Sequence, residues 1–196
     1  MSELERIEKM LLTMKDTSEL MVDLAYSALL YNNKEIAQEV YHLEDICDNL
    51  YNRIQNFSVK RIANKNANVA LTLIRLATSI EMIADSARGI ADVVLRDIEP
   101  HPIVRLSIRE SDAIISKVEV KPTSKLTNCT LGGIRLASET GMWVIAMRRG
   151  KKWIFGPDEN TKIKSEDILI VRGPLGSEKT ILRLARGKGR NKLFRR

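Results

Sequence analysis

Apolar residues recur at steps of three and four through nearly the whole first half of this chain, and that repeat constrains the fold more than any other feature. In a first stretch Leu4, Ile7, Leu11, Met14, Ser18, Met21, Ala25 and Ala28 keep the step. Ile36, Val40, Leu43, Cys47, Leu50, Ile54 and Phe57 keep it in a second, and Leu73, Leu76, Ile80, Ile83, Ala87, Ile90 and Val94 in a third. A sustained step of this kind draws one narrow apolar seam along a helix, as in antiparallel bundles and coiled coils. Asn32 and Asn33 break the first stretch from the second and can cap the second helix; residues 64–68 mark the next break. Both connections are short, so neighbouring helices run antiparallel. Residues 1–98 therefore predict a three-helix bundle whose seams are partly open. A second copy, or another helical protein, would close them.

Pro100 and Pro102 end the pattern, and the period changes beyond them. Residues 115–120 alternate like a strand, 131–138 look helical, and Gly141 ends that helix. Residues 142–147 and 152–155 read as strands joined by a turn at Arg149 and Gly150, and 168–171 as a buried strand stopped by Gly173 and Pro174. Ser177 can cap a last helix running to about Ala185. The predicted organisation is α+β and multidomain: a bundle over 1–98, a linker over 99–110, a small α+β domain over 111–186 and a basic tail over 187–196. A domain of that size gains from a partner, which again points to a homodimer.

Charge separates the same two parts. Residues 1–98 carry 11 Lys and Arg against 15 Asp and Glu, a net −4, and the remainder carries 21 against 10, a net +11. Charges interrupt every apolar stretch short of the roughly 20 residues a membrane span needs, and the charged N-terminus does not read as a signal peptide. Cys47 and Cys129 lie far apart, as free thiols in a reducing cytoplasm would. The basic tail is either solvated or touches an acidic lipid surface or nucleic acid. No aromatic residues interleave with its charges, which argues against a single-strand nucleic-acid groove. There is no Gly-rich phosphate loop, and no Ser-His-Asp or Cys-His set has a usable spacing, so no enzyme is expected. His42 reads as a surface helix residue and His101 as linker.

Two carboxylate pairs carry chemistry. Glu44 and Asp48, and Glu81 and Asp85, each stand four residues apart, hence on one helical face. Stacked carboxylates repel unless a hard cation or a basic neighbour offsets them, so the spacing allows either a divalent or trivalent metal or a solvated acidic face. In the second half, the apolar Val144-Ile145-Ala146 run delivers Arg148 and Arg149 at its end. There they form either a cationic fork for phosphate or a solvated hairpin end.

The segments E-D-I-C-D-N-L-Y and I-E-M-I-A-D-S-A-R-G-I-A-D resemble the repeated motifs of the PhoU family. The resemblance covers about residues 1–98, a single repeat where a full PhoU protein has two. It implies a three-helix unit associated with phosphate-uptake control, whose E-x-x-x-D pairs hold metal; here those would be Glu44, Asp48, Glu81 and Asp85. Met82 stands where Arg is usual in that family, and Ser86 and Gly89 where His and Asn are usual. The segments S-K-L-T-N-C-T-L-G, T-G-M-W-V-I-A-M-R-R-G and G-P-D-E-N-T-K-I-K-S-E-D-I-L-I-V-R-G are similar to the C-terminal regulatory domain of potassium channels and transporters, TrkA-C or RCK_C. That likeness spans about 110–180, with Glu166 where the pattern has Gly before the Asp. It implies a domain that pairs with a second copy and senses a small anionic ligand, such as a cyclic dinucleotide, at the pairing surface. Val144, Ile145 and Pro157 would be the apolar walls and Arg148 the charge. Together the resemblances imply a cytoplasmic regulatory subunit of cation transport, potassium first, lying against the inner face of the membrane beside a channel or transporter. The alternative is a phosphate-uptake accessory regulator.

Overall fold

The computed structural model describes residues 3–99, 102, 103, 106, 113–174 and 176–187. The rest of the expected linker and the tail from residue 188 lie outside the described residues. The chain divides into two compact units, Met1–His101 and Pro102–Arg196.

The first unit is three helices, α1 (Glu3–Tyr31), α2 (Lys34–Phe57) and α3 (Ala67–Leu95), each packed on the other two. Asn33 starts α2 as anticipated: its side-chain oxygen accepts the Ile36 N–H at 3.0 Å. Asn66 does the same for α3 through the Val69 N–H at 3.1 Å. Each cap satisfies a donor that the first helical turn leaves unpaired. Between α2 and α3 the chain widens into a π turn, Ser58–Ile62.

The α1 seam is buried much as its periodicity predicts, from Ile7 through Met14, Ser18, Met21 and Ala25 to Ala28. In α2, Ile36, Val40, Cys47, Leu50 and Ile54 are buried, and Glu44 joins them while Leu43 is half-exposed. The α3 seam differs from the expectation. Leu76 and Ile83 are exposed at 49% and 47%, and the buried stripe is Ala70, Ala77, Ile80, Ala84, Ala87, Ala91 and Val94. The expected and the buried stripe share Ile80, Ala87 and Val94 and part at the positions between them. There the small side chains are buried because they allow the closer approach to α1 and α2. The expectation about membrane spans is also corrected: α3 is long and apolar enough, by length and composition, to cross a membrane.

The second unit is a four-stranded antiparallel sheet with two short helices. Its elements are β1 (Ala113–Glu119), α4 (Leu136–Thr140), β2 (Trp143–Arg149), β3 (Lys152–Phe155), β4 (Ile168–Pro174) and α5 (Glu178–Ala185). The strand order is β1-β4-β2-β3. One sheet face, with Ile114, Val118, Met147, Leu169 and Val171, packs on Ile181, Leu184 and Ala185 of α5. Only Leu136–Thr140 of the expected 131–138 helix is α-helical, and Gly141 ends it in the left-handed conformation. Ser177 makes no capping bond with its side chain; instead Glu178, in the first turn of α5, accepts from the Ser116 hydroxyl at 2.7 Å. Gly173 sits where a Cβ would collide with the Gly141 carbonyl and Met142, so β4 and the start of β2 can approach only through a glycine.

Candidate functional site

In the helical unit, the four carboxylates singled out by spacing share one patch on α2 and α3. Glu44 is only 7% exposed, and its carboxylate accepts from Arg88 Nη1 of α3 at 2.9 Å. Burial pushes Glu44 above the ordinary carboxylate range; Arg88 opposes that, and Asp48 and Asp85 add to it. Burial also raises Glu81, followed by its neighbours Asp85, Asp48 and Glu44. The Cys47 thiol is pushed up to about 11 by burial and then by Asp48, Glu44 and Glu81, which leaves it protonated and unreactive. Arg88 also lies over the Tyr41 ring at 5.7 Å, and the Tyr41 hydroxyl donates to Asp92 at 2.7 Å. Among the described residues no three His, Cys, Asp or Glu side chains converge on a point that could hold a metal. A cation taken by these four carboxylates would compete with Arg88 for Glu44. His42 is exposed on α2.

The two adjacent arginines have separate tasks. Alternation along β2 sends them to opposite faces of the sheet. Arg149 grips Asp167 with two bonds, Nε to Oδ1 at 2.9 Å and Nη2 to Oδ2 at 2.8 Å. It also donates to the Lys162 carbonyl at 2.6 Å. Asp167 is fully buried and accepts the Lys164 N–H as well, so this pair pins the loop before β4. Arg148 instead lies over the Trp153 ring on the outer face, 5.9 Å from its centroid.

The cleft of the second unit forms where β3 leaves β2. β3 pairs only with Ala146–Arg149, which leaves the first residues of β2 as an open edge. Gly156, in the left-handed conformation, donates to the Ile145 carbonyl at 2.9 Å before Pro157 turns the chain away. The cleft has a volume of about 340 Å³. Its walls include Val144 and Pro157 of the four candidate ligand residues, together with Arg135, Ser138, Trp143, Asp158 and Glu159. Ile145 is the extra residue of a β-bulge between Val144 and Ala146; it is buried and does not line the cleft. Nor does Arg148. Trp143, 58% exposed, was not expected here. Strict two-residue alternation sets it opposite Val144, and nothing local announces the bulge. Arg135 enters α4 from a left-handed conformation that only the folded loop reveals.

Comparison with known proteins agrees with this architecture. Residues 11–94 match the PhoU domain, and residues 115–186 match the TrkA-C domain. Both families are regulatory domains. No curated protein matches the chain. Among solved structures, the RCK_C domain dimer of S. agalactiae BusR in complex with c-di-AMP is 17% identical, covers 37% of this chain and 95% of that one, and has a TM-score of 0.35. The RCK C domain of the potassium transport protein KtrA, also in complex with c-di-AMP, is 21% identical over 41% of this chain and 92% of that one, with a TM-score of 0.35. S. agalactiae BusR bound to its busAB-promotor DNA is 11% identical over 88% of this chain and 97% of that one, with a TM-score of 0.37.

Proposed function

We propose, for a chain that carries a PhoU domain followed by a TrkA-C domain, that it is a cytoplasmic regulatory subunit of cation transport, with potassium the first candidate. In this reading it is a homodimer, its second unit senses a small anionic ligand, and its partner is a membrane channel or transporter. One observation carries the ligand reading: the cleft at the open edge of β2, where Trp143, Val144 and Pro157 offer an aromatic and apolar wall beside the Arg135 cation. Ligand sites commonly join such walls to a few placed polar groups. Arg148 enters if a second copy brings its outer sheet face near the ligand.

Calorimetry of the full chain against cyclic dinucleotides, including c-di-AMP, and NAD tests the reading. Binding tighter than millimolar is expected. A lost charge-assisted contact of about 1.5–3 kcal/mol makes Arg148→Ala or Arg135→Ala cost tenfold or more. Trp143→Ala failing to weaken binding would move the site out of the cleft. No binding at all would leave the second unit a pairing device. Co-purification with native membranes identifies the transporter.

The second reading, a phosphate-uptake accessory regulator holding a cation on Glu44, Asp48, Glu81 and Asp85, is supported by the match of residues 11–94 to the PhoU domain, and it requires those side chains to rearrange, because among the described residues no three of them converge on one point. Metal found by elemental analysis and lost in Glu81→Gln/Asp85→Asn supports it; metal that survives that change refutes it.

A further inference from the structure

A second cavity, of about 220 Å³, lies in the helical unit and is lined by Arg6 and Met10 of α1 with Arg53, Phe57, Lys60 and Arg61 of α2 and the π turn. Asn56 completes the lining, and no acidic side chain takes part. Residues 1–98 have only 11 cations and a net charge of −4, yet four of those cations converge here. Lys15, Lys34, Arg88 and Arg96 of the same unit each hold a carboxylate. Arg6, Arg53, Lys60 and Arg61 make no salt bridge among the described residues. Arg6 rests on the Phe57 ring at 5.9 Å. Four like charges held together at one site lose the repulsion between them when an anion enters.

The backbone around the cavity is irregular. Lys60 and Arg61 stand on the π turn, closed by the Ala63 N–H donating to the Ser58 carbonyl at 2.9 Å. The Ser58 hydroxyl at its head is fully buried and has no hydrogen-bond partner. Buried hydroxyls normally find a partner, and π turns inside helical segments occur frequently at functional sites.

We propose that this cavity binds a multiply charged phosphoryl group, with Arg53, Arg61 and Lys60 as its cations, Asn56 as a further donor and Phe57 as the apolar wall. The volume lies below the roughly 300–1,000 Å³ of sites that enclose a drug-sized ligand. It therefore fits a headgroup or a diphosphate, with any larger body left outside. The source is either a free phosphate compound or an anionic lipid headgroup, and the chemistry is shared. This site does not depend on the cleft of the second unit.

Calorimetry of the full chain with inorganic diphosphate, and co-sedimentation with phosphatidic acid vesicles against phosphatidylcholine vesicles, are the two arms. At low salt, the native chain should bind at least one probe tighter than millimolar. Arg53→Gln/Arg61→Gln should weaken that binding tenfold or more and flatten its salt dependence. Changing Arg195 and Arg196 of the tail to Gln should leave it in place. Sensitivity in the diphosphate arm identifies a soluble phosphate compound, and sensitivity in the vesicle arm alone identifies a lipid headgroup. If the double variant fails to fold, Lys60→Gln is read instead. A native chain and variants that behave alike in both arms overturn the proposal.

Discussion

At the scale of single residues, Glu166 shows a local steric cost accepted for a tertiary contact. It adopts a left-handed φ of 68°, and its N–H donates to the Val120 carbonyl at 2.7 Å. A side chain in that conformation costs about 1–2 kcal/mol. The turn that the family pattern builds with Gly is thus made here with Glu, and Glu166→Gly should stabilise the protein by about 1 kcal/mol in denaturant melts. A destabilised variant would show that the side chain makes a compensating contact. Glu81 is strained electrostatically instead. Its carboxyl is raised by burial and then by Asp85 and Asp48, so the folded state favours the protonated form more than the unfolded state does. That contribution is complete below the ordinary Glu value of 4.5 and is lost as pH rises through the higher folded value. Glu81→Gln should therefore raise the thermal midpoint at neutral pH, with the gain fading as pH falls toward that range. A gain that persists at low pH would mean packing, not charge, is responsible.

At the scale of elements, α3 presents a face that its own bundle leaves uncovered. Val69, Leu76 and Ile83 are exposed at seven-residue spacing, each followed three residues later by a small exposed residue, Thr72, Ser79 and Ser86. The helix also carries Arg75, Glu81, Asp85, Arg88 and Asp92, which makes a bilayer interior a poor setting for it. A second copy suits it better. An antiparallel pairing centred between Ala77 and Thr78 sets Leu76 against Ser79, Ile83 against Thr72 and Val69 against Ser86, a large residue over a small one in each layer. Sedimentation at micromolar concentration should give the dimer mass, and Leu76→Glu/Ile83→Glu should give 22.2 kDa. A native chain that is already monomeric would reject the pairing. The same element shows where periodicity stops being informative. Ile80, Ala87 and Val94 of the expected seam are buried, but the larger side chains of Leu76 and Ile83 drew the rest of it toward the exposed side. The closeness of approach to α1 and α2, which no local pattern records, buried the alanines.

At the scale of the whole molecule, two units of opposite charge follow one another, and each has chemistry that its partner lacks. The helical count, the Asn33 start of α2, the sheet-forming runs and the split of −4 against +11 were legible because they depend on neighbours along the chain: side-chain period, cap geometry and composition. The buried alanine stripe of α3, the burial of Glu44 and the division of labour between Arg148 and Arg149 were not. Glu44 reads as one of four carboxylates facing either a cation or a basic neighbour such as Arg88 until α3 sets Arg88 against it, and Arg149 reads as half of a fork until Asp167, just before β4, comes beside it. The edge of β2 opens because β3 ends early, and the basic cavity gathers residues from the start of α1 and the end of α2. Sequence alone thus determined which segments become helix or strand, because those choices are settled within a few residues. Which charges meet, which edge stays open and which helix face is hidden were decided by tertiary structure, because burial and Coulomb interactions act between segments far apart in the chain.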